Sequence, residues 1–165
     1  MKAKKFLAMM IAAATMTMSV SSCDDDDDDD NNTPASTVSV ADAMAGSYNG
    51  DYVLTVMGSG DTTQVMMTIN KVDDNTIQLV TPSAGSGAMA LPSLTCDLKA
   101  SASNNVYTAT AESVSGSVTV NDVEKAYTFS NVAVVVSSNT AAITYSLQYG
   151  KMPMAMLVSF KGEKK

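Results

Sequence analysis

Apolar and polar residues alternate one by one along most of the chain from Gly46 onward. The clearest case runs from Ile143 to Tyr149, where apolar residues alternate with Thr144, Ser146 and Gln148. Strict alternation places apolar side chains on one face of an extended segment and polar ones on the other, which is the pattern of a half-buried β-strand. The side chains predicted to point inward include Tyr48, Leu54, Ile143, Tyr145, Leu147, Met156 and Phe160.

Short polar segments separate these runs at intervals of roughly ten residues, the spacing of small antiparallel β domains. They combine Gly, Asn, Asp and Ser, the residues that favour tight turns. The predicted turns are Gly58–Asp61, Asp73–Asn75, Ser103–Asn105, Asn121–Asp122 and Ser137–Asn139. Gaps this short join strands that are neighbours in the sequence, so we expect eight or nine antiparallel strands in a meander.

Three segments depart from the alternation. Tyr127 and Phe129 are one residue out of phase with Val132 and the valines after it, which predicts a β-bulge near Ser130–Asn131. The segment from Thr81 to Pro92 is rich in Gly and Pro and is predicted to be the longest loop. Residues 41–44 are expected to form one helical turn at most.

Closure is the expected arrangement of such a meander, because an open sheet would leave two unpaired edges. The predicted fold class is therefore all-β, an eight- or nine-stranded antiparallel up-and-down barrel. A barrel of this size has an interior that is either filled by side chains or able to hold one small ligand. The barrel is expected to occupy residues 46–165.

The first 22 residues have the three parts of an export signal: a lysine-rich start, an apolar run from Phe6 to Met18, and small residues before Cys23. The apolar run is shorter than the roughly 20 residues that span a membrane. Val20-Ser21-Ser22-Cys23 resembles a lipobox, which predicts a lipoprotein signal peptide over residues 1–22 and lipidation of Cys23. An ordinary secretory signal that happens to contain a cysteine is the alternative. Acyl chains on Cys23 would anchor the protein to a membrane.

A run of seven aspartates follows the cysteine and should repel itself into a disordered, extended linker over residues 23–45. It resembles the signal that sends lipoproteins of Bacteroidetes to the outer face of the outer membrane. The alternatives are a solvated spacer and, with little weight, a cation-binding segment, which would lack the fixed loop of a calcium site. The predicted surface-export signal comprises Asp24, Asp25, Asp26, Asp27, Asp28, Asp29 and Asp30.

Composition excludes several classes of function. The chain has a net charge of −7 and no arginine, so it lacks the basic clusters of a nucleic-acid-binding protein. It also has no histidine, which removes the usual catalytic triads and zinc sites. Once Cys23 is lipidated, Cys96 has no disulfide partner, and its place on an apolar face suggests a small core residue. We therefore expect no cofactor and no metal site.

Carboxylate pairs are the remaining basis for an enzyme, since two suffice for glycoside hydrolysis. Most of the candidates fall in predicted turns or on outward faces, where solubility explains them. The sequence therefore predicts a protein that is not an enzyme. These candidates are Asp51, Asp61, Asp73, Asp74, Asp97, Asp122, Glu112 and Glu124.

Two terminal motifs resemble those of the calycin-like β-barrel lipoproteins of gut Bacteroidetes. The domain opens with Gly46-Ser47-Tyr48-Asn49-Gly50, a G-x-Y-x-G pattern. It closes with a Met-rich entry from Met152 into Val158-x-Phe160-x-Gly162. The resemblance implies a lipocalin-like barrel, and it brings neither an established substrate nor catalytic residues.

The apolar face is rich in Met and Tyr, which suit a pocket for an amphiphilic ligand but also fill barrels that bind nothing. The first functional reading is an outer-membrane, surface-anchored binding module for a small apolar or amphiphilic molecule or a glycan. The second is a protein-interaction component of the cell envelope, either a β-barrel inhibitor or an accessory subunit, with an exposed apolar loop over residues 88–91. The candidate ligand-lining residues, where the last strand meets the first, are Tyr48, Tyr52, Met154 and Met156.

Overall fold

The computed structural model describes residues 38–87 and 90–165. The predicted signal peptide, Cys23 and the aspartate run from Asp24 to Asp30 lie outside these residues. One short helix precedes eight strands: α1 (Val40–Met44), β1 (Gly46–Val56), β2 (Ser59–Asp73), β3 (Thr76–Val80), β4 (Thr95–Ser103), β5 (Val106–Val120), β6 (Val123–Ser137), β7 (Thr140–Tyr149) and β8 (Met156–Lys164).

Each strand pairs antiparallel with the next, and β8 pairs with β1, so the sheet closes into a barrel. The predicted all-β up-and-down barrel is thereby confirmed, with eight strands rather than nine. The first connection differs from its predicted position. The turn is Met57–Gly58, and β2 begins at Ser59, because these two residues carry the positive φ angles of 51° and 81° that a tight hairpin needs.

The predicted bulge in β6 is confirmed. The register between β6 and β7 shifts between Ser130 and Ala133, and Asn131 has a φ of 52°. The extra residue restores the inward set, so that Phe129 and Val132 are both buried. β5 keeps one register with β6 past this point, so its inward-facing positions also change phase, between Ala111 and Val114, which the sequence pattern did not reveal.

One glycine from each terminal motif lies where the barrel closes. Gly50 of β1 pairs directly with Gly162 of β8. A Cβ on Gly50 would lie 2.1 Å from the Lys161 carbonyl oxygen, and one on Gly162 would lie 2.4 Å from the Phe160 ring. The close approach of the two backbones therefore excludes a side chain at Gly50, and this approach together with the Phe160 ring excludes one at Gly162.

The two ends of the barrel differ. The lower end carries the β2–β3, β4–β5 and β6–β7 turns and is covered by α1, which contacts β2 to β5. Ala41 and Met44 of α1 are buried, and the Tyr48 hydroxyl donates a 2.7 Å hydrogen bond to the Met44 carbonyl. Lys71 ties the helix to the β2–β3 turn through ion pairs of 2.7 Å to Asp42 and 2.8 Å to Asp74.

The helix agrees with the single turn predicted over residues 41–44. The predicted linker extends to Ala45, but α1 contributes Ala41 and Met44 to the core and so belongs with the barrel. Ser39 caps the helix by accepting a 3.1 Å hydrogen bond from the Asp42 N–H. In residues 38–87 and 90–165, no helix has the length and apolar character needed to cross a membrane.

One apolar cluster fills the barrel, with buried residues from Ala41 to Phe160. Of the side chains predicted to point inward, Leu54 is half-buried and the others are buried. Residues 38–165 belong to one compact unit and contain this whole cluster, so the domain has what it needs to fold on its own.

Candidate functional site

The predicted ligand-lining residues do not form one site. Tyr48, Tyr52 and Met156 are buried in the core, but Met154 is 52% exposed and lies in the β7–β8 connection, before the start of β8. Tyr48 pairs with Lys164, eight residues from Met156 along β8. At about 3.3 Å per residue, Tyr48 and Met156 are roughly 26 Å apart along the strand. Tyr48 lies near the lower end, and Met156 near the other.

Polar side chains meet in the interior at Tyr52, Tyr145 and Cys96. Burial raises the pKa of the Tyr145 hydroxyl well above its ordinary value, with smaller contributions from Tyr52 and Cys96. The two tyrosine hydroxyls are close, but their arrangement falls short of a hydrogen bond, and the Tyr145 hydroxyl has no partner among the described residues. Burial also raises the pKa of the Cys96 thiol to about 12, so this cysteine stays a thiol, the form that is not nucleophilic.

The candidate carboxylates point outward. All eight are exposed: Asp51, Asp61, Asp73, Asp74, Asp97, Asp122, Glu112 and Glu124. A hydrogen bond from the Thr76 hydroxyl lowers the pKa of Asp73, and the Asn75 N–H and Lys99 contribute further. The carboxyl group is therefore held in its ionised form, whereas a general acid must be protonated. The described residues contain no group of three or more Cys, Asp or Glu side chains placed to hold a metal ion.

The upper end carries the β1–β2, β3–β4, β5–β6 and β7–β8 connections. In the longest of them, Thr81 and Leu94 pair through a 2.9 Å backbone hydrogen bond, and Ala84 pairs with Leu91. Leu91 is only 4% exposed, so the predicted exposed apolar loop is wrong at that position. Ala90 is exposed, and Ala88 and Met89 lie outside the described residues.

A tyrosine and a glycine fix the β5–β6 hairpin at this end. β4 pairs with β5 only from Ala100 to Ser103, so the upper parts of β5 and β6 extend past it. The Tyr127 ring lies directly over Gly116, where a Cβ would come within 2.6 Å of it. Its hydroxyl donates a 3.0 Å hydrogen bond to the Thr95 carbonyl and thereby joins β6 to β4 across the gap.

A groove of about 610 Å³ lies beside this hairpin, and we call it the rim groove. It is lined by residues 123–126, at the start of β6, and residues 149–152, at the end of β7 and in the turn that follows. The Gly150 N–H donates a 2.7 Å hydrogen bond to the Ala126 carbonyl. The Gln148 side-chain amide donates to the Met152 carbonyl and holds the turn against the strand.

The walls of the rim groove combine apolar and cationic groups. Tyr149 and Met152 supply buried and half-buried apolar surface, and the Lys125 ammonium lies 5.5 Å from the centre of the Tyr149 ring. The Tyr149 hydroxyl is buried without a hydrogen-bond partner among the described residues. Sequence reasoning missed the groove, because its two halves are 23 or more residues apart and meet only through the β6–β7 pairing.

The model of the calycin-like β-barrel domain family matches residues 44–163. Among solved structures, a Bacteroides fragilis candidate outer membrane protein has a TM-score of 0.58 and 22% sequence identity, covering 78% of this chain. The match covers 54% of that protein, and at this identity the likeness concerns the fold alone. No curated protein sequence matches the chain. The resemblance predicted from the terminal motifs is confirmed, and the chain belongs to the calycin-like β-barrel domain family.

Proposed function

We propose that this protein is a lipid-anchored envelope protein whose barrel is a non-catalytic binding module for a small amphiphilic molecule. The observation that carries the proposal is the rim groove, which has an apolar floor and charged walls at the end of an otherwise filled barrel. Its volume of about 610 Å³ is in the range of small-molecule sites, roughly 300–1,000 Å³.

A non-catalytic role agrees with the chemistry of the side chains. The exposed carboxylates are spread over the surface, the Cys96 thiol is buried with a pKa of about 12, and the chain has no histidine. Among the residues that line the groove, Glu124 is the one carboxylate, so the lining does not provide the carboxylate pair of a glycoside hydrolase. What the groove offers a ligand is apolar contact and positive charge.

Placement in the envelope is supported by the residues before the barrel. A lysine-led apolar run ends at Val20-Ser21-Ser22-Cys23, and seven aspartates follow. The similar Bacteroides fragilis protein is itself a candidate outer membrane protein. We therefore propose a lipid on Cys23 and display of the barrel on the cell surface through the segment from Asp24 to Asp30.

The binding function predicts stabilisation of the isolated domain by a ligand. A micromolar ligand supplied at about 100 times its Kd should stabilise the folded state by about 2.7 kcal/mol. For a domain of this size that corresponds to a rise in Tm of several degrees, at roughly 2–4 °C per kcal/mol. Thermal-shift measurements on residues 36–165 with fatty acids, bile acids and glycan fragments test this. An unchanged Tm with every compound would contradict the proposal.

The lipid anchor predicts that Cys23→Ala removes the protein from membranes or blocks its processing. Detergent partitioning of wild type and variant measures this, and Ser22→Ala, which keeps a small residue before the cysteine, is the control. A mature Cys23→Ala protein that still partitions with the membrane would exclude the anchor.

Surface display is tested separately, by replacing Asp24 to Asp30 with Ser and Ala. The lipidated variant should then resist protease added to intact cells, whereas the wild-type barrel is cleaved. Equal cleavage of both proteins would leave the aspartate run as a spacer.

Protein binding is the second candidate function, and exposed apolar side chains at the upper end favour it. Met57, Val123 and Met154 are 81%, 57% and 52% exposed, and all three lie in or beside upper connections. Exposed apolar residues at one end of a domain are typical of interaction surfaces. A domain that binds no small molecule but is captured by a purified envelope protein through these side chains would favour this function.

A further inference from the structure

We infer that the rim groove selects amphiphiles with an anionic head group, held between Lys125 and Lys151. This inference rests on the proposed binding function and adds the charge that the ligand must carry.

Lys125 and Lys151 come from the two halves of the groove lining. Tyr127 pairs with Tyr149, and the Gly150 N–H donates to the Ala126 carbonyl. Gly150 has a φ of 57°, so the chain turns there, and Lys151 lies in the turn that lines the groove together with Lys125 at the start of β6. An anion bound in this groove would be attracted by both ammonium groups.

Neither lysine is neutralised within the described part of the chain. The ion pairs there join Lys71 to Asp42 and Asp74, and Lys99 to Asp73. Glu124 also lines the groove, but it is exposed and forms no ion pair with either lysine among these residues. The two positive charges are therefore available to a ligand, in a protein whose net charge is −7.

The remaining walls suit the apolar part of such a ligand. Met152 is half-buried and packs against the core, and its flexible side chain can adapt to an aliphatic chain or a ring system. Tyr149 is 4% exposed, and its ring lies beneath the Lys125 ammonium.

The test compares three probes with the same ten-carbon chain on residues 36–165, the two ionic ones below their micellar concentrations and the neutral one below its solubility limit. Decanoate is anionic, 1-decanol is neutral and decyltrimethylammonium is cationic. Isothermal titration should show decanoate binding at least tenfold more tightly than either of the others. Its affinity should fall as salt is added, because the lysines are close to the surface and are screened.

Variants locate the site. Lys125→Gln and Lys151→Gln should each weaken decanoate binding about tenfold and leave decanol binding unchanged. Lys125→Arg keeps the charge and should retain binding. Lys161→Gln is the matched control, since Lys161 is an exposed lysine on β8 and does not line the groove. Thermal unfolding of each variant establishes that it is folded.

The outcomes distinguish a failure of anion selectivity from a failure of the proposed small-molecule binding. Decanol binding as tightly as decanoate, or full decanoate affinity in both glutamine variants, would overturn the inference and leave the binding module standing. Binding of none of the three probes would overturn the inference and also count against the proposed function.

Discussion

Leu147→Ala is expected to lower the free energy of unfolding by about 2–5 kcal/mol, because truncation of a buried leucine loses burial and leaves a cavity. Leu147 is 2% exposed and lies between Phe129 on β6 and Met156 on β8, its cross-strand partners. Three adjacent strands contribute to this contact, so the barrel cannot close over the gap without moving all of them. Urea unfolding followed by circular dichroism measures the change as a shift of the midpoint at constant m.

Thr144→Ala is the matched control on the same strand. Thr144 is exposed and faces away from the core, so its truncation should change stability by no more than about 0.5 kcal/mol. Gln148 is less suitable, because it is half-buried and its amide holds the turn after β7. Equal losses in Leu147→Ala and Thr144→Ala would show that the faces of β7 are assigned the wrong way round, since a slip of one residue exchanges them.

Gly50→Ala is expected to destabilise the barrel by about 1–3 kcal/mol or more, although it adds a single methyl group. That methyl would lie 2.1 Å from the Lys161 carbonyl oxygen and 2.3 Å from the Gly162 Cα. Both are backbone atoms, so no side chain can rotate out of the way, and β1 must separate from β8. The loss of closure should appear in urea unfolding and in faster exchange of the amide hydrogens of these two strands.

Gly60→Ala provides the comparison for this substitution. Gly60 lies near the β1–β2 turn, where the atom nearest to a Cβ would be the Thr55 side-chain oxygen at 3.1 Å, which can move. The next atoms, the Val53 Cγ1 at 3.5 Å and the Leu54 carbonyl oxygen at 3.8 Å, are at ordinary contact distances. Replacement of Gly60 should have a small effect. The loss in free energy of unfolding in the double variant Gly50→Ala, Gly162→Ala should be smaller than the sum of the losses in the two single variants. One methyl group already separates β1 from β8, and the space that it opens accommodates the other. Additive losses would mean that the two glycines do not share one contact.

The faces of the strands could be predicted from alternation alone. Burial of one face is a local property of an extended segment, and it identified Ile143, Tyr145 and Leu147 as core residues. The bulge in β6 was predictable for the same reason, since the change of phase between Phe129 and Val132 is visible in the chain. Closure followed from the number of strands, although their exact number did not.

Contacts between segments far apart in the sequence could not be predicted in this way. Tyr48 and Met156 were predicted to share one site because they lie on β1 and β8, the two strands that close the barrel. The β1–β8 register places them near opposite ends of the barrel. Alternation determines which face of the sheet a side chain occupies, but it does not determine the position of that side chain along the barrel axis. The predicted ligand-lining site was wrong in this second respect.

The sequence by itself determined that this chain is a closed β-barrel with an apolar interior, because period-two patterning and turn residues act over a few neighbouring positions. Tertiary structure decided which end α1 covers, why Gly50 and Gly162 carry no side chain, and which residues line the rim groove. Each of these depends on the register between strands, which is set by the packing of the whole barrel. The candidate binding site therefore became visible only when the strands were assembled.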